Sequence, residues 1–230
     1  MKPLCIILTT TKNLEGLKQY GNQSNELFDL VVIDYTSKLN ESPARKEVIH
    51  MVYENLGGFK YQSIKKLLDE TNILELYEYF WFPDWDIEVD IESIETMVEI
   101  ASSYNLSLSQ PSLSDDSYVS WDITKNNPSS KIRITDFVEV MCPLFSSEFL
   151  KEVLWTFSIN YSSWGLDFLW ASLKGDRLIG IIDSAVVKHS RIISSHEWKL
   201  PNARNANEEL EEILKKYNLV MNPQVIKSLI

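Results

Sequence analysis

The chain has little positive charge for its size. Against 33 acidic residues there are only 22 Lys and Arg, a formal charge of −11 over 230 residues. A general nucleic-acid binder needs a basic face to displace counterions from phosphates, and adhesion to anionic lipid needs the same; neither fits this balance. Only two cysteines occur, Cys5 and Cys142. Each lies inside an apolar run, which favours buried free thiols over a disulfide. No segment approaches the roughly 20 consecutive apolar residues of a membrane span. The opening Met-Lys-Pro-Leu-Cys-Ile-Ile-Leu is too short an apolar run for a signal peptide, so the expectation is a cytoplasmic protein. Internal repeats, low-complexity tracts and strong linkers are also missing. With 44% hydrophobic residues, one folded domain over 1–230 is expected.

What the chain does have is a β/α alternation. Leu4 to Thr9 and the β-branched Phe28 to Tyr35 read as buried strands. Ser42-Pro43 offers an N-cap and first helical residue. Val48, Ile49, Val52 and Leu56 follow at helical spacing, and Gly57 stands where a C-terminal stop would. A second helix is expected over 59–68 with Ile64, Leu67 and Leu68 inward. The aromatic run from Tyr77 to Phe82 is the next strand. Ile91, Ile94, Val98 and Ala101 mark a further amphipathic helix. Leu106 to Leu108 predicts a short strand, closed by a turn at Gln110-Pro111. Such alternation predicts a mostly parallel sheet covered by helices.

The second half is less regular. Ser109 to Asn127 reads as a polar surface excursion and Phe137 to Phe145 as a strand, with Glu139 unusual among apolar neighbours. Ser146 can cap a helix that turns Phe149, Leu150, Val153, Leu154 and Phe157 inward. Ile179 to Val187 is a buried strand leading to His189. Leu210, Ile213, Leu214 and Tyr217 define a last helix with an acidic start at 208–212, which suits its dipole.

Chemistry is expected where the aromatic strand stops. Pro83 is followed by Asp84 and Asp86, and alternate residues of an extended segment point the same way. Both carboxylates would then reach one cation at the carboxyl end of a strand, where α/β sheets bind ligands. Asp34, closing the second strand, falls on the same edge. Asp167, in Trp164-Gly165-Leu166-Asp167, either caps the helix that follows or serves as a general base in a cleft. His189, one of three histidines, is either structural or the nitrogen ligand that completes a Mn²⁺ or Mg²⁺ site. Gly57-Gly58-Phe59-Lys60 is either a helix stop and turn or a loop that brings Lys60 to a diphosphate.

Taken in order, Gly58-Phe59-Lys60, Pro83-Asp84-Trp85-Asp86-Ile87, Gln110-Pro111, Ser120-Trp121-Asp122-Ile123-Thr124, Phe137-Val138-Glu139, Pro143-Leu144-Phe145-Ser146, Trp164-Gly165-Leu166-Asp167, Ile182-Asp183 and Val187-Lys188-His189 resemble GT-A-type glycosyltransferases. They are closest to a branch described only as a domain of unknown function with a predicted glycosyltransferase fold. The resemblance covers roughly residues 56–195. It implies a Rossmann-like mixed sheet flanked by helices, with a nucleotide-binding half (1–110), an acceptor half (111–200) and a helical tail (201–230). It further implies that Asp84, Asp86 and His189 hold Mn²⁺ or Mg²⁺. Asp34, Lys60, Asp84 and Asp86 would then bind the nucleotide-sugar donor, with a UDP-sugar favoured. Asp167 would deprotonate the acceptor, and Trp121, Trp164 and Gly165 would line the site of that glycan or small molecule. The implied activity is transfer of a sugar to a hydroxyl in glycan or polysaccharide synthesis. A haloacid-dehalogenase-type phosphotransferase also uses Asp-x-Asp, but places it after its first strand, and here it comes mid-chain. A non-catalytic nucleotide-sugar or glycan-binding protein on the same fold is the other reading.

Overall fold

A computed structural model of the protein describes residues 2–10, 19–20, 27–34, 51–54, 59–192 and 200–230. Among these, ten strands build one mixed sheet. Strand β1 (Lys2–Thr10) pairs in parallel with β2 (Phe28–Asp34) and with β4 (Tyr77–Trp81), and β3 (Met51–Glu54) extends β2 in parallel. The first helix, α1 (Lys60–Glu70), precedes β4. The short β5 (Ile87–Glu88), α2 (Ile91–Ser103) and β6 (Leu106–Leu113) follow. Next come β7 (Ile132–Thr135), β8 (Leu144–Ser146), α3 (Ser147–Val153), α4 (Leu166–Leu173), β9 (Leu178–His189), α5 (Ala206–Tyr217) and β10 (Val225–Leu229). The spatial order is β10-β7-β9-β6-β8-β4-β1-β2-β3, and β5 pairs with the end of β9.

Period two along the strands explains why the sheet is covered on both faces. On β1, Leu4, Ile6 and Leu8 enter one core, while Cys5 and Ile7 enter the other; β2 divides Leu30 and Val32 from Val31 and Ile33 in the same way. Helix α2 closes the first core with Ile94, Met97, Val98 and Ala101. Helices α1, α3, α4 and α5 close the second, in which Tyr61, Phe157 and Trp170 meet edge to face with ring centroids 4.7 and 5.2 Å from Tyr61. Such aromatic pairs add about 0.5–1.5 kcal/mol each beyond area burial. Both cysteines are free and buried, as their apolar settings predict.

Local signals hold where they are strong. Asp90 caps α2 by accepting from the Ser93 amide, Ser146 caps α3 through the Phe149 amide, and Asn205 and Glu208 form a capping box on α5. Four expectations need correction. Met51–Glu54, expected in a helix, is strand β3; a short apolar run is ambiguous between the two periods, and pairing with β2 decides it. The rest of that expected helix, with Gly57, Gly58 and Tyr35, lies outside the described residues. Gln110-Pro111 is not a turn, because β6 runs on to Leu113, so Ser109 to Leu113 is core rather than surface. On β6, strand β8 pairs with Leu108 and Ser109 alone, and the β6–β9 register shifts just after Pro111, a site where the missing N–H is tolerated. Finally, Phe137 to Pro143 is irregular and only Leu144–Ser146 is strand; side chains as well as the amides of Phe82 and Asp84 satisfy the carbonyls of 140–143. Strands β7 and β10 were not expected, and the 201–230 segment supplies an edge strand as well as its helix.

Candidate functional site at the carboxyl end of β4

Beyond Trp81 the chain leaves the sheet. The Phe82 amide donates to the Pro143 carbonyl (3.0 Å) and the Asp84 amide to that of Met141 (2.8 Å). A turn follows, closed by Ile87 N–H to Asp84 O at 3.1 Å. Asp84 and Asp86 therefore sit on a turn, not on an extended strand, and their carboxylates face different partners. Lys60 Nζ donates to Asp84 Oδ1 at 2.6 Å. Asp86 Oδ2 stands 3.5 Å from His189 Nε2. Both carboxylates stand beyond the end of β4, but a turn and not an extended segment places them there.

Lys60 is held at the amino end of α1 and is 14% exposed. Besides Asp84 it donates to the carbonyls of Val140 (3.1 Å) and Met141 (3.0 Å). An ammonium has three protons, and these acceptors take all three. Tyr61 OH donates to the same Val140 carbonyl (2.6 Å), and Trp81 Nε1 to that of Cys142 (2.9 Å). The loop 137–143 is thereby fastened to α1 and β4, and it carries Glu139.

His189 ends β9 opposite Ile87. Its Nδ1 is 2.8 Å from the Tyr118 carbonyl, which can only accept, so Nδ1 carries a proton and Nε2 faces Asp86. Ser190 donates to the Asp86 carbonyl from both its amide (3.1 Å) and its hydroxyl (3.0 Å). Burial pushes the His189 pKa down, but the Asp86 carboxylate, the Tyr118 carbonyl and Asp84 together raise it above its ordinary value.

Glu139, unusual in the sequence for its apolar neighbours, stands in the same neighbourhood. It is 5% exposed, and its Oε2 is buried with no hydrogen-bond partner among the described residues. Gln110 Oε1 accepts from its backbone amide at 2.6 Å. Burial raises its pKa to about 7; Ser120, His189 and Lys60 pull it down, and Asp84 pushes it up. Its position among apolar residues was the available signal.

Asp167 lies in the first turn of α4, also 5% exposed, with the Phe168 amide donating to Oδ1 at 2.9 Å. Burial lifts its pKa to about 7; that amide opposes the shift and Glu139 adds to it. Tyr61, deep in the core, is raised by burial and by Asp84, Asp167 and Glu139. These carboxyls therefore share one electrostatic neighbourhood. Gly165 caps α4 at φ +90, where a Cβ would meet Ile213 at 3.2 Å. The buried Glu209 of α5 accepts from the amides of Tyr161 (3.1 Å) and Ser162 (2.7 Å) and so fixes the loop ahead of Gly165.

The remaining candidates surround this centre less closely. Trp121 is half-buried against Phe137 and Phe168, with centroids at 5.3 and 5.5 Å, and Phe168 follows Asp167 on α4. Trp164 is half-buried, and its carbonyl accepts from Asn160 Nδ2 at 2.9 Å. Asp34 is buried at the carboxyl end of β2, with β1 between it and β4.

Residues 10–136 match the family model described as a protein of unknown function, DUF707. The chain belongs to the DUF707 family. Its matched part includes Lys60 and the Asp84–Asp86 turn, while Glu139, Asp167 and His189 lie beyond it. No curated protein matches the chain by sequence. Among solved structures, S. aureus TarS 1-349 in complex with UDP-GlcNAc is similar, with a TM-score of 0.55 and 14% identity over 94% of this chain and 72% of that one. TarS 1-349 without that ligand gives the same score and identity over 81% of this chain and 59% of the other. GalNAc-T7 with UDP, GalNAc and Mn²⁺ gives a TM-score of 0.64 at 12% identity, over 94% of this chain and 48% of that chain. The chain thus spans about half of GalNAc-T7 and about three fifths to seven tenths of TarS 1-349. The fold is that of the GT-A glycosyltransferases, a mixed sheet flanked by helices. Among the described residues, no helix is long and apolar enough to cross a membrane.

Proposed function

We propose that this DUF707 chain is a metal-dependent glycosyltransferase that moves a sugar from a nucleotide-sugar donor, a UDP-sugar by preference, to an acceptor hydroxyl. The observation that carries this reading is the Asp86–His189 pair at the carboxyl end of β4, on a GT-A fold. Their facing atoms are 3.5 Å apart, with the far ring nitrogen bound to a carbonyl, the arrangement that orients a metal-ligating imidazole. Among the described residues no group of three His, Cys, Asp or Glu is gathered to hold a metal ion. Two protein ligands nevertheless suit Mg²⁺ or Mn²⁺, which such sites commonly bind through one or two carboxylates plus substrate phosphates. A cation held by Asp86 and His189 would neutralise the diphosphate leaving group.

The chain's own residues do the rest. Lys60 holds Asp84 in place and ties the turn to loop 137–143. Asp34 lies on the edge where the nucleoside would bind. Asp167, with a pKa of about 7, is matched to taking a proton from a hydroxyl near neutral pH. Trp121, Trp164 and Gly165 flank it on the acceptor side.

Thermal unfolding with UDP and UDP-GlcNAc, with and without Mn²⁺, tests this reading. A donor at about 100-fold its Kd stabilises by about 2.7 kcal/mol, several degrees for a domain of this size. Asp86→Ala should keep the fold and lose the Mn²⁺-dependent shift; an unchanged shift would remove the metal assignment. One observation favours the second reading, a binding protein without turnover: Asp167 is 5% exposed and engaged with its own helix end. Transfer or hydrolysis that disappears in Asp167→Asn while binding persists would exclude it.

A further inference from the structure

A nucleotide diphosphate brings several negative charges to a site already lined by Asp84, Asp86, Glu139 and Asp167, in a chain of net charge −11. A divalent cation offsets only part of this. The nearby cations on the described residues are mostly committed. Lys60 spends its three protons on Asp84 and two carbonyls. Lys188 pairs with Asp116 at 2.5 Å. The buried Arg133 pairs with Asp183 and donates to the carbonyls of Ile123 and Lys125.

Arg191 is different. Its guanidinium carbon lies 4.1 Å from the centre of the Trp85 ring, and Trp85 is the residue between Asp84 and Asp86. The side chain is exposed, and no ion pair joins it to a carboxylate among the described residues. Ser190, immediately before it, holds the Asp86 carbonyl with two hydrogen bonds, so Arg191 is anchored to the carboxylate turn by backbone as well as by its side chain. Stacking fixes the plane of a guanidinium but leaves its N–H fork at the edge. That fork matches phosphate oxygens two at a time.

We propose that Arg191, stacked on Trp85, is the diphosphate-binding cation of the donor site. This rests on the nucleotide-sugar reading and adds to it a source of positive charge that is part of the protein. It also gives Trp85 a role: its ring carries the cation over the turn. Arg191→Lys keeps the charge but not the planar fork, and Trp85→Ala keeps the fork but not its platform.

Titration calorimetry with two probes, UDP and inorganic pyrophosphate, each with Mg²⁺, tests the proposal on the full chain. Arg191→Ala should weaken both by about 10- to 100-fold, the range for loss of charge-assisted hydrogen bonds, with its unliganded melting temperature unchanged. Arg191→Lys and Trp85→Ala should fall between Arg191→Ala and the wild type. UDP binding that is undiminished in Arg191→Ala overturns the role of Arg191 and leaves the donor-site reading standing. Pyrophosphate binding that depends on Arg191, without UDP binding, supports the anion site and removes the nucleotide reading. A wild-type protein that binds neither probe overturns both.

Discussion

Replacing Glu139 by Gln should stabilise the protein more at pH 8 than at pH 5. The carboxyl titrates near 4.5 when unfolded and at about 7 when folded. Its folded pKa is raised, so the native state is favoured below 4.5, and that advantage is lost as pH rises through about 7. Each pH unit of that interval is worth about 1.4 kcal/mol. Between pH 5 and pH 8 the ionisable side chain should therefore cost the wild type about 2 to 3 kcal/mol that the amide does not. The amide has its own penalty, because the Oε2 position has no partner among the described residues and an unsatisfied buried group costs about 1–3 kcal/mol. That penalty is nearly the same at both pH values, so it cancels in the comparison. Urea unfolding of both proteins at pH 5 and pH 8 measures the difference, and a domain of this size should show it as a relative melting shift of about 4–12 °C. Equal effects of the substitution at the two pH values would mean that Glu139 is hydrated and ionised in the folded protein.

Three other outcomes follow from particular contacts. Arg133→Ala leaves Asp183, whose side chain is fully buried, without its cation; it should cost about 3–5 kcal/mol, read by chemical denaturation. Gly165→Ala puts a Cβ 3.2 Å from Ile213 at φ +90. It should cost about 1–3 kcal/mol and, under the proposed function, reduce turnover more than UDP binding, because the displaced helix start carries Asp167. If Asp167 is the base, turnover in the wild type rises with pH through about 7 and then levels; a rate that is flat from pH 6 to pH 8 would assign the proton transfer elsewhere.

The sequence made most of the sheet and the position of the carboxylates legible, because those features are local. β1 and β2 are apolar on both faces, and the two cores they separate are written in alternate residues. The cap at Ser146 is a short-range hydrogen bond. What escaped was set by contacts far along the chain. β3 is a strand because β2 lies beside it. Loop 137–143 is irregular where Lys60 and Tyr61, some 80 residues earlier, take the Val140 carbonyl and Lys60 shares that of Met141 with the Asp84 amide. That same capture explains why Glu139 was visible as an oddity but not as a site residue. An acidic residue in an apolar run signals a buried carboxyl, and only the fold says that Asp84, His189 and Lys60 surround it. Arg191 is the converse case: nothing in its local sequence distinguishes an exposed arginine, and its meaning comes from the ring of Trp85, more than a hundred residues away in sequence and 4.1 Å away in space. Charge complementarity to a diphosphate is a property of the assembled edge, where the Arg191 guanidinium, without an ion pair among the described residues, stands on the turn that carries Asp84 and Asp86.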